Sequence, residues 1–390
     1  MKKKWKIVAA VAAICFCILL YLVLTVAMSG LLAAFPQYSE DTVLLVLSLP
    51  CLSALAAILL MPALLRRFTK RCMVIVLLLC LLAGGGICLL FDRSLPMLIV
   101  ASLLMGLPYG GLASVYPLIV KANFTREEST GVIGIGACMM QLGCLLSKFI
   151  GGYLADIRWN YVYFTYFFAV IALLMVCLWL PKEEPPARQP GGKRPPLSLA
   201  PLKSRRIWIF ALIAFLFPVL YFIISTHISL YVEGYGLGTA ALTGQLSAVG
   251  AAAATVLSLL FPKILKFTRS RTFETGLLVM GLGYLFAGLH VSSAGMLVAV
   301  LTGAAGISLF TPYLNVRITM EAKPEDAPLL TSFILTVVNV AYFACPYINN
   351  WCSRLLGDGS PASMFTISGA GCLLTVAVLL FLHDPANQKA

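Results

Sequence analysis

Lys148 is the residue least at home in its surroundings. It follows Gly134 and Gln141 in a run that is otherwise mostly apolar. A cation within a membrane helix costs about 2.5–3.5 kcal/mol near the centre and less toward an interface, so it usually faces a cavity or a partner. Gly134, Gln141 and Lys148 are seven residues apart and share one helical face. At about 1.5 Å rise per residue, Lys148 lies roughly 10 Å beyond Gln141. Two readings stand: an anion-binding or gate-forming lysine, or a side chain that snorkels to the surface or pairs with Asp156. No acidic residue lies deep in an apolar run. The acids that can face this lysine are Glu40, Asp41, Asp92, Asp156, Glu233 and Asp358. A Lys148–Glu233 or Lys148–Asp41 gate is one reading, and ordinary loop carboxylates the other. His227 is the best titratable candidate, because an imidazole changes charge near neutral pH. It carries a coupling proton or is a satisfied structural histidine.

Polar stripes mark further faces. Ser102, Tyr109 and Tyr116 recur every seven residues, and Asn339, Tyr342, Pro346 and Asn350 align. Tyr21 and Thr25 are one turn apart, and Gln245 stands in another apolar run. Tyrosine combines stacking area with a hydroxyl, which suits a ligand of mixed polarity. Helix–helix hydrogen bonding is the competing use of each residue. The twelve cysteines form no Cys-x-x-Cys pair and have no histidine at ligand spacing, so they read as small apolar fillers. Three scattered histidines and no deep acids do not make an enzyme's cluster. No metal or cofactor is expected.

The elements that carry these residues follow from composition. Of 390 residues, 61% are apolar and 11% charged, against about 25% charged in a soluble domain. That excludes a cytosolic enzyme, a secreted domain and a disordered chain. The net charge of +13 sits in short runs between apolar stretches, which marks membrane orientation more than nucleic-acid binding. A membrane helix needs about 20 apolar residues. Twelve stretches qualify: 6–34, 42–65, 72–91, 95–120, 129–154, 159–180, 206–232, 239–262, 273–290, 294–316, 328–352 and 361–382. They are called spans 1 to 12. Span 1 follows Lys2, Lys3, Lys4 and Lys6 as a signal peptide would, but its apolar run is too long for one. Of 28 basic residues, all but Arg93, Arg158, Arg354 and Lys148 fall at the termini or in every second loop. Both termini are therefore expected in the cytoplasm of a plasma-membrane protein.

The longest break, 182–205, is dense in proline and basic residues and reads as a cytoplasmic linker between residues 1–181 and 206–390. The two halves resemble each other. Leu59–Leu60–Met61–Pro62 ends span 2 and Leu259–Leu260–Phe261–Pro262 ends span 8, each followed by a basic turn with Phe-Thr. Gly111 and Pro117 are spaced like Gly306 and Pro312. Twelve helices in two repeated six-helix halves are a transporter architecture, with a substrate site near the midplane between the repeats.

At this level the whole chain resembles the major facilitator superfamily. The family's loop 2–3 signature, Gly-x-Leu-x-Asp-Arg-x-Gly-Arg-Lys, falls on Pro62, Leu64, Arg66, Arg67, Thr69, Lys70 and Arg71. The basic positions are kept. Pro62, Arg66 and Thr69 replace the first Gly, the Asp and the second Gly. That Asp helps lock a conformation in the family, so the resemblance implies a different lock around Arg66 and Arg67. Span 5 is similar to that of drug:proton antiporters, with Gly134, Gly143, Gly151 and Gly152 on the pattern Gly-x8-Gly-x3-Gly-Pro-x2-Gly-Gly and Ser147 and Lys148 in place of its Gly-Pro pair. Small residues at Gly143, Ser147 and Gly151 line one face and permit close helix approach, expected here at the junction of the halves. Ser102 stands where those relatives carry an Arg that takes part in proton coupling.

These readings converge on an all-α membrane protein that is a secondary active transporter with alternating access. No Walker-type loop is present, so the energy is expected from an ion gradient, with the proton as coupling ion. The partners are then a small-molecule substrate, that ion and membrane lipid, with no nucleic acid. The span 5 glycines and an aromatic cavity point to export of an amphipathic compound. That export, in exchange for protons, is the leading expectation, and Lys148 supports the alternative of an organic-anion carrier working by uptake or exchange.

Overall fold

In the computed structural model, residues 2–181, 205–268, 271–321 and 327–381 are described. The Pro-rich linker, Arg269, Lys323 and Lys389 lie outside them. The described chain is helical, with no strand among the described residues. Lipid offers backbone groups no hydrogen bonds, so each crossing segment must bond within itself. Twelve helices are long and apolar enough to cross. They are Lys4–Val26, Leu45–Leu64, Lys70–Leu90, Leu95–Asn123, Glu127–Ile157, Trp159–Trp179, Ile207–Gly234, Ala240–Phe261, Thr272–Leu289, Ser293–Phe310, Ser332–Leu356 and Pro361–Phe381. These are spans 1 to 12 within a few residues of their sequence bounds.

Local signals start several of them. Thr69 caps span 3, its hydroxyl accepting from Cys72 N at 3.2 Å. Thr125 and Glu128 form a capping box at span 5: Thr125 Oγ1 accepts from Glu128 N, and Glu128 Oε2 accepts from Thr125 N. Lys4 then reaches the same carboxylate at 2.7 and 2.8 Å, tying the start of span 1 to that of span 5. Proline lies inside spans 2, 4, 7 and 11.

The chain divides into two compact units, residues 1–197 and 198–390. Within the N-terminal unit span 1 packs on 5, 2 on 4, and 3 on 4 and 6. Within the C-terminal unit span 7 packs on 11, 8 on 10, and 9 on 10 and 12. The pairs correspond one for one, as a repeat requires. Each unit has its own apolar core. The second contains Phe217 and Phe310 stacked with ring centroids 3.8 Å apart. Large apolar side chains are also exposed, among them Leu178, Leu259 and Phe381. In water they would be an aggregation hazard, whereas in a membrane they meet acyl chains.

Glycine sets two of the closest helix contacts. A Cβ at Gly110 would land on the Ala54 carbonyl, and one at Gly143 on the Phe16 carbonyl. The second contact corrects an expectation. Gly143 serves the packing of span 5 on span 1, inside the N-terminal unit. Gly151 faces Val23 of span 1 as well. Ser147 is fully buried, its hydroxyl donating to the Cys144 carbonyl at 3.0 Å, and Gly152 is buried beside it. The small-residue face is spent on the neighbour that comes first in the chain. Gly134, by contrast, has nothing within 4 Å of a built Cβ. Gly143→Leu is therefore expected to destabilise the purified protein by overpacking, on the order of 1–3 kcal/mol, while Gly134→Ala stays within ±0.5 kcal/mol of wild type. Thermal unfolding in detergent checks both, and equal midpoints would refute the Phe16 contact.

Candidate functional site

The first span of each unit is interrupted. Span 1 runs as α-helix to Cys17, turns, continues as a 3-10 helix over Leu20–Val26 and resumes at Met28. Bonds from Leu22 N to the Leu19 carbonyl and from Ala27 N to the Leu24 carbonyl replace the α pattern there. Span 7 ends its first helix at Tyr221 and starts the second at Ile223. Pro218 precedes that break. It lacks an N–H and disrupts the preceding turn. The offset of 200 residues that aligns Pro62 with Pro262 sets Tyr21 against Tyr221 and Thr25 against Ser225. Helices broken at corresponding positions of two repeats are the best pointer to a transporter's binding site.

Around the first break, Tyr21 lies against Tyr109 of span 4 with ring centroids 4.7 Å apart. Its side chain also interacts with Cys51 of span 2. Two residues of the expected cavity thus meet, and Cys51 joins them. Tyr116 stands near Gly136 of span 5, whose built Cβ would be 3.4 Å from its ring. Thr25 and Ser102 are fully buried, each hydroxyl donating to the carbonyl three residues back, Leu22 and Ile99. Both hydroxyls thus serve their own helices. Gln141 is partly exposed.

Lys148 is 7% exposed. Among the described residues of its own unit, no carboxylate lies within ion-pair distance. The expected Lys148–Asp41 gate and the Asp156 pairing are not formed. Asp41 sits instead in the first turn of a short helix, Glu40–Val43, capped by Ser39. Other outer acids are occupied locally. Asp92 pairs with Arg158. Glu233 accepts from the Ser229 hydroxyl at 2.7 Å. Asp358 accepts from Ser360 N at 2.9 Å, and the Ser360 hydrogen bonds hold its carboxyl down at about 2. Arg66 and Arg67 are exposed. Arg71 of the same turn instead donates to the Cys177 carbonyl at the end of span 6.

Around the second break the freed carbonyls find side chains. Val219 O accepts from Asn349 Nδ2 at 3.0 Å, and Tyr221 O from the Tyr284 hydroxyl at 3.1 Å. His227 is fully buried. Its Nε2–H donates to Asn350 Oδ1 at 3.0 Å, and Nδ1 lies 2.7 Å from the Thr226 hydroxyl. A neutral ring accepts that hydroxyl's hydrogen. A charged ring donates to it, and the hydroxyl then turns to the Phe222 or Ile223 carbonyl at 3.3 and 3.2 Å. Both protonation states have a full set of partners. Asn339 donates to the Leu335 carbonyl at 2.8 Å and leaves its buried Oδ1 without a partner. Tyr342 packs on Phe222 at the break, 4.8 Å between centroids. Gln245 is partly buried and engaged. Among the described residues no group of His, Cys, Asp and Glu could hold a metal.

The model of one protein family, described as Major Facilitator Superfamily, matches residues 9–272. The chain belongs to this superfamily. The match is to the superfamily as a whole and does not single out its drug:proton antiporters. No curated protein matches the sequence. Solved structures share the fold at low identity. The nucleoside transporter NupG has a TM-score of 0.77 at 10% identity, covering 97% of this chain and 100% of its own. A POT family transporter in complex with 5-aminolevulinic acid gives 0.73 at 16%, covering 97% and 96%. A D-xylose-proton symporter gives 0.73 at 13%, covering 99% and 98%. This chain is thus an all-helical membrane transporter of that superfamily.

Sequence reasoning missed Cys51, Asn349, Tyr221 and Tyr284. The signal for Tyr221 was present in the 200-residue offset. Asn349 carried none, because its task is to bond a carbonyl that only the break exposes. Asn350→Leu strands the His227 Nε2–H. It is expected to destabilise the protein by about 0.6 kcal/mol and at most about 1.7, the measured range for hydrogen bonds between membrane helices. Chemical unfolding in mixed micelles checks this, and a stabilised variant would contradict it.

Proposed function

We propose that this superfamily member is a secondary active transporter of small organic anions, with Lys148 as the anion ligand. The buried lysine without a carboxylate in its own unit carries the reading. A cation held in an apolar helix gains most from an anion that visits it. The interrupted span 1 of the same unit supplies further groups, with Tyr21 and, from span 4, Tyr109 beside the break. Energy comes from a proton gradient. His227 is the group that takes the proton, because its partners accommodate both charge states. The chain sits in a plasma membrane with both termini in the cytoplasm, as the distribution of basic residues directs.

A second reading is export of an amphipathic compound in exchange for protons. The spacing of Gly134, Gly143, Gly151 and Gly152, shared with drug:proton antiporters, favours it.

Counterflow in proteoliposomes with a panel of carboxylates and of neutral compounds tests the proposal. Anions should exchange, and Lys148→Gln should lower their kcat/KM about tenfold or more, the loss of one charge-assisted hydrogen bond. Lys148→Arg should retain part of the rate. Anion counterflow that is unchanged in Lys148→Gln sinks the anion reading. Wild-type cells that accumulate less of a lipophilic dye, and lose that difference with a protonophore, would establish the exporter.

A further inference from the structure

The N-terminal unit carries a groove of about 470 Å³ between spans 1, 5 and 6. Its walls are carbon. Ala9 and Ala12 of span 1 form the floor, Ile135 and Met139 of span 5 one side, and Ile171 of span 6 the other. Alanines on a membrane helix commonly let a neighbour approach closely. Here spans 5 and 6 pack on span 1 without closing over them. Ile135 and Ile171 are both exposed, so the groove opens sideways along the unit. An apolar hollow holds water poorly, and a peptide laid in it would find no hydrogen-bond partners for its backbone.

Length and charge identify the occupant. The groove runs from Trp5 to Phe16. That is twelve residues, about 16 Å of helix from first to last, or half of the roughly 30 Å hydrocarbon core. One acyl chain of one leaflet has that reach. The head of the groove is basic. Trp5 is 71% exposed there, as an indole at the level of the headgroups would be. Lys4 is taken by Glu128. Lys6 is exposed and has no acidic partner among the described residues. The sequence adds Lys2 and Lys3, with no acid before Glu40. We infer that this groove binds an acyl chain of an anionic phospholipid whose phosphate lies on Lys6.

Native mass spectrometry of the full-length protein tests this, with phosphatidylglycerol and phosphatidylcholine of the same chains titrated in detergent. Wild type should retain phosphatidylglycerol in preference, by tenfold or more. Lys6→Gln should reduce that preference about fivefold, the expected share of one basic residue near a membrane surface, and leave phosphatidylcholine unchanged. Ala12→Phe fills the floor and should weaken both lipids. Ile171→Trp, at a side chain already more than half exposed, narrows the side and should do the same even if the floor variant fails to fold. Equal retention of the two lipids by wild type overturns the inference. So does undiminished phosphatidylglycerol binding in Ile171→Trp, since the lysines would then be collecting headgroups without the groove.

Discussion

A peptide group in hydrocarbon must find its hydrogen-bond partner inside the protein, and the rest of this structure follows from that requirement. It makes every crossing segment helical, because only a helix satisfies its own backbone. It also sets the terms on which a helix can stop being one. Spans 1 and 7 break inside the apolar region, and each break is held by identifiable groups. In span 1, i to i+3 bonds keep the backbone paired through the 3-10 stretch. In span 7, Asn349 and Tyr284 bring side-chain donors to the exposed carbonyls. The polar residues nearest the breaks thus have structural work, and aromatic rings pack around them.

The same scarcity governs charge. Most basic residues sit outside the spans, where water and headgroups solvate them, and the outer acids are used up in local pairs and caps such as Arg158 with Asp92. Lys148 differs in kind. Burial removes its water, and its own unit gives it no carboxylate in return. That imbalance is what the proposed anion ligand would answer. His227 poses the opposite case. It is buried with both ring nitrogens hydrogen-bonded, and a hydroxyl that can reverse its direction leaves Nδ1 a partner in either protonation state.

Helix packing within each unit rests on close approach. Gly110 and Gly143 bring span 4 onto span 2 and span 5 onto span 1 until backbone meets backbone. Lacking a hydrophobic force between helices in lipid, such contacts are the main source of specificity. Where span 1 offers alanine and its neighbours stay apart, a groove remains that the membrane itself can fill.

Much of this was legible in the sequence. The twelve spans were, because their apolar length is a property of local composition and lipid thickness. The two-unit repeat was, because Pro62 and Pro262 and the basic Phe-Thr turns recur at one offset. Tyr21 and Tyr109 were found as polar residues on apolar faces. Other features were less legible because helical spacing fixes a face and not a neighbour. Thr25 and Ser102 lie on the expected faces yet spend their hydroxyls on their own helices. Gly143 and Gly151 mark a close contact whose partner, span 1, no spacing could name. Composition and periodicity determined the helices and their number. Which side chains meet, which carbonyls a break exposes and whether the buried lysine finds a carboxylate were decided by tertiary packing, since each depends on distances between segments far apart in the chain.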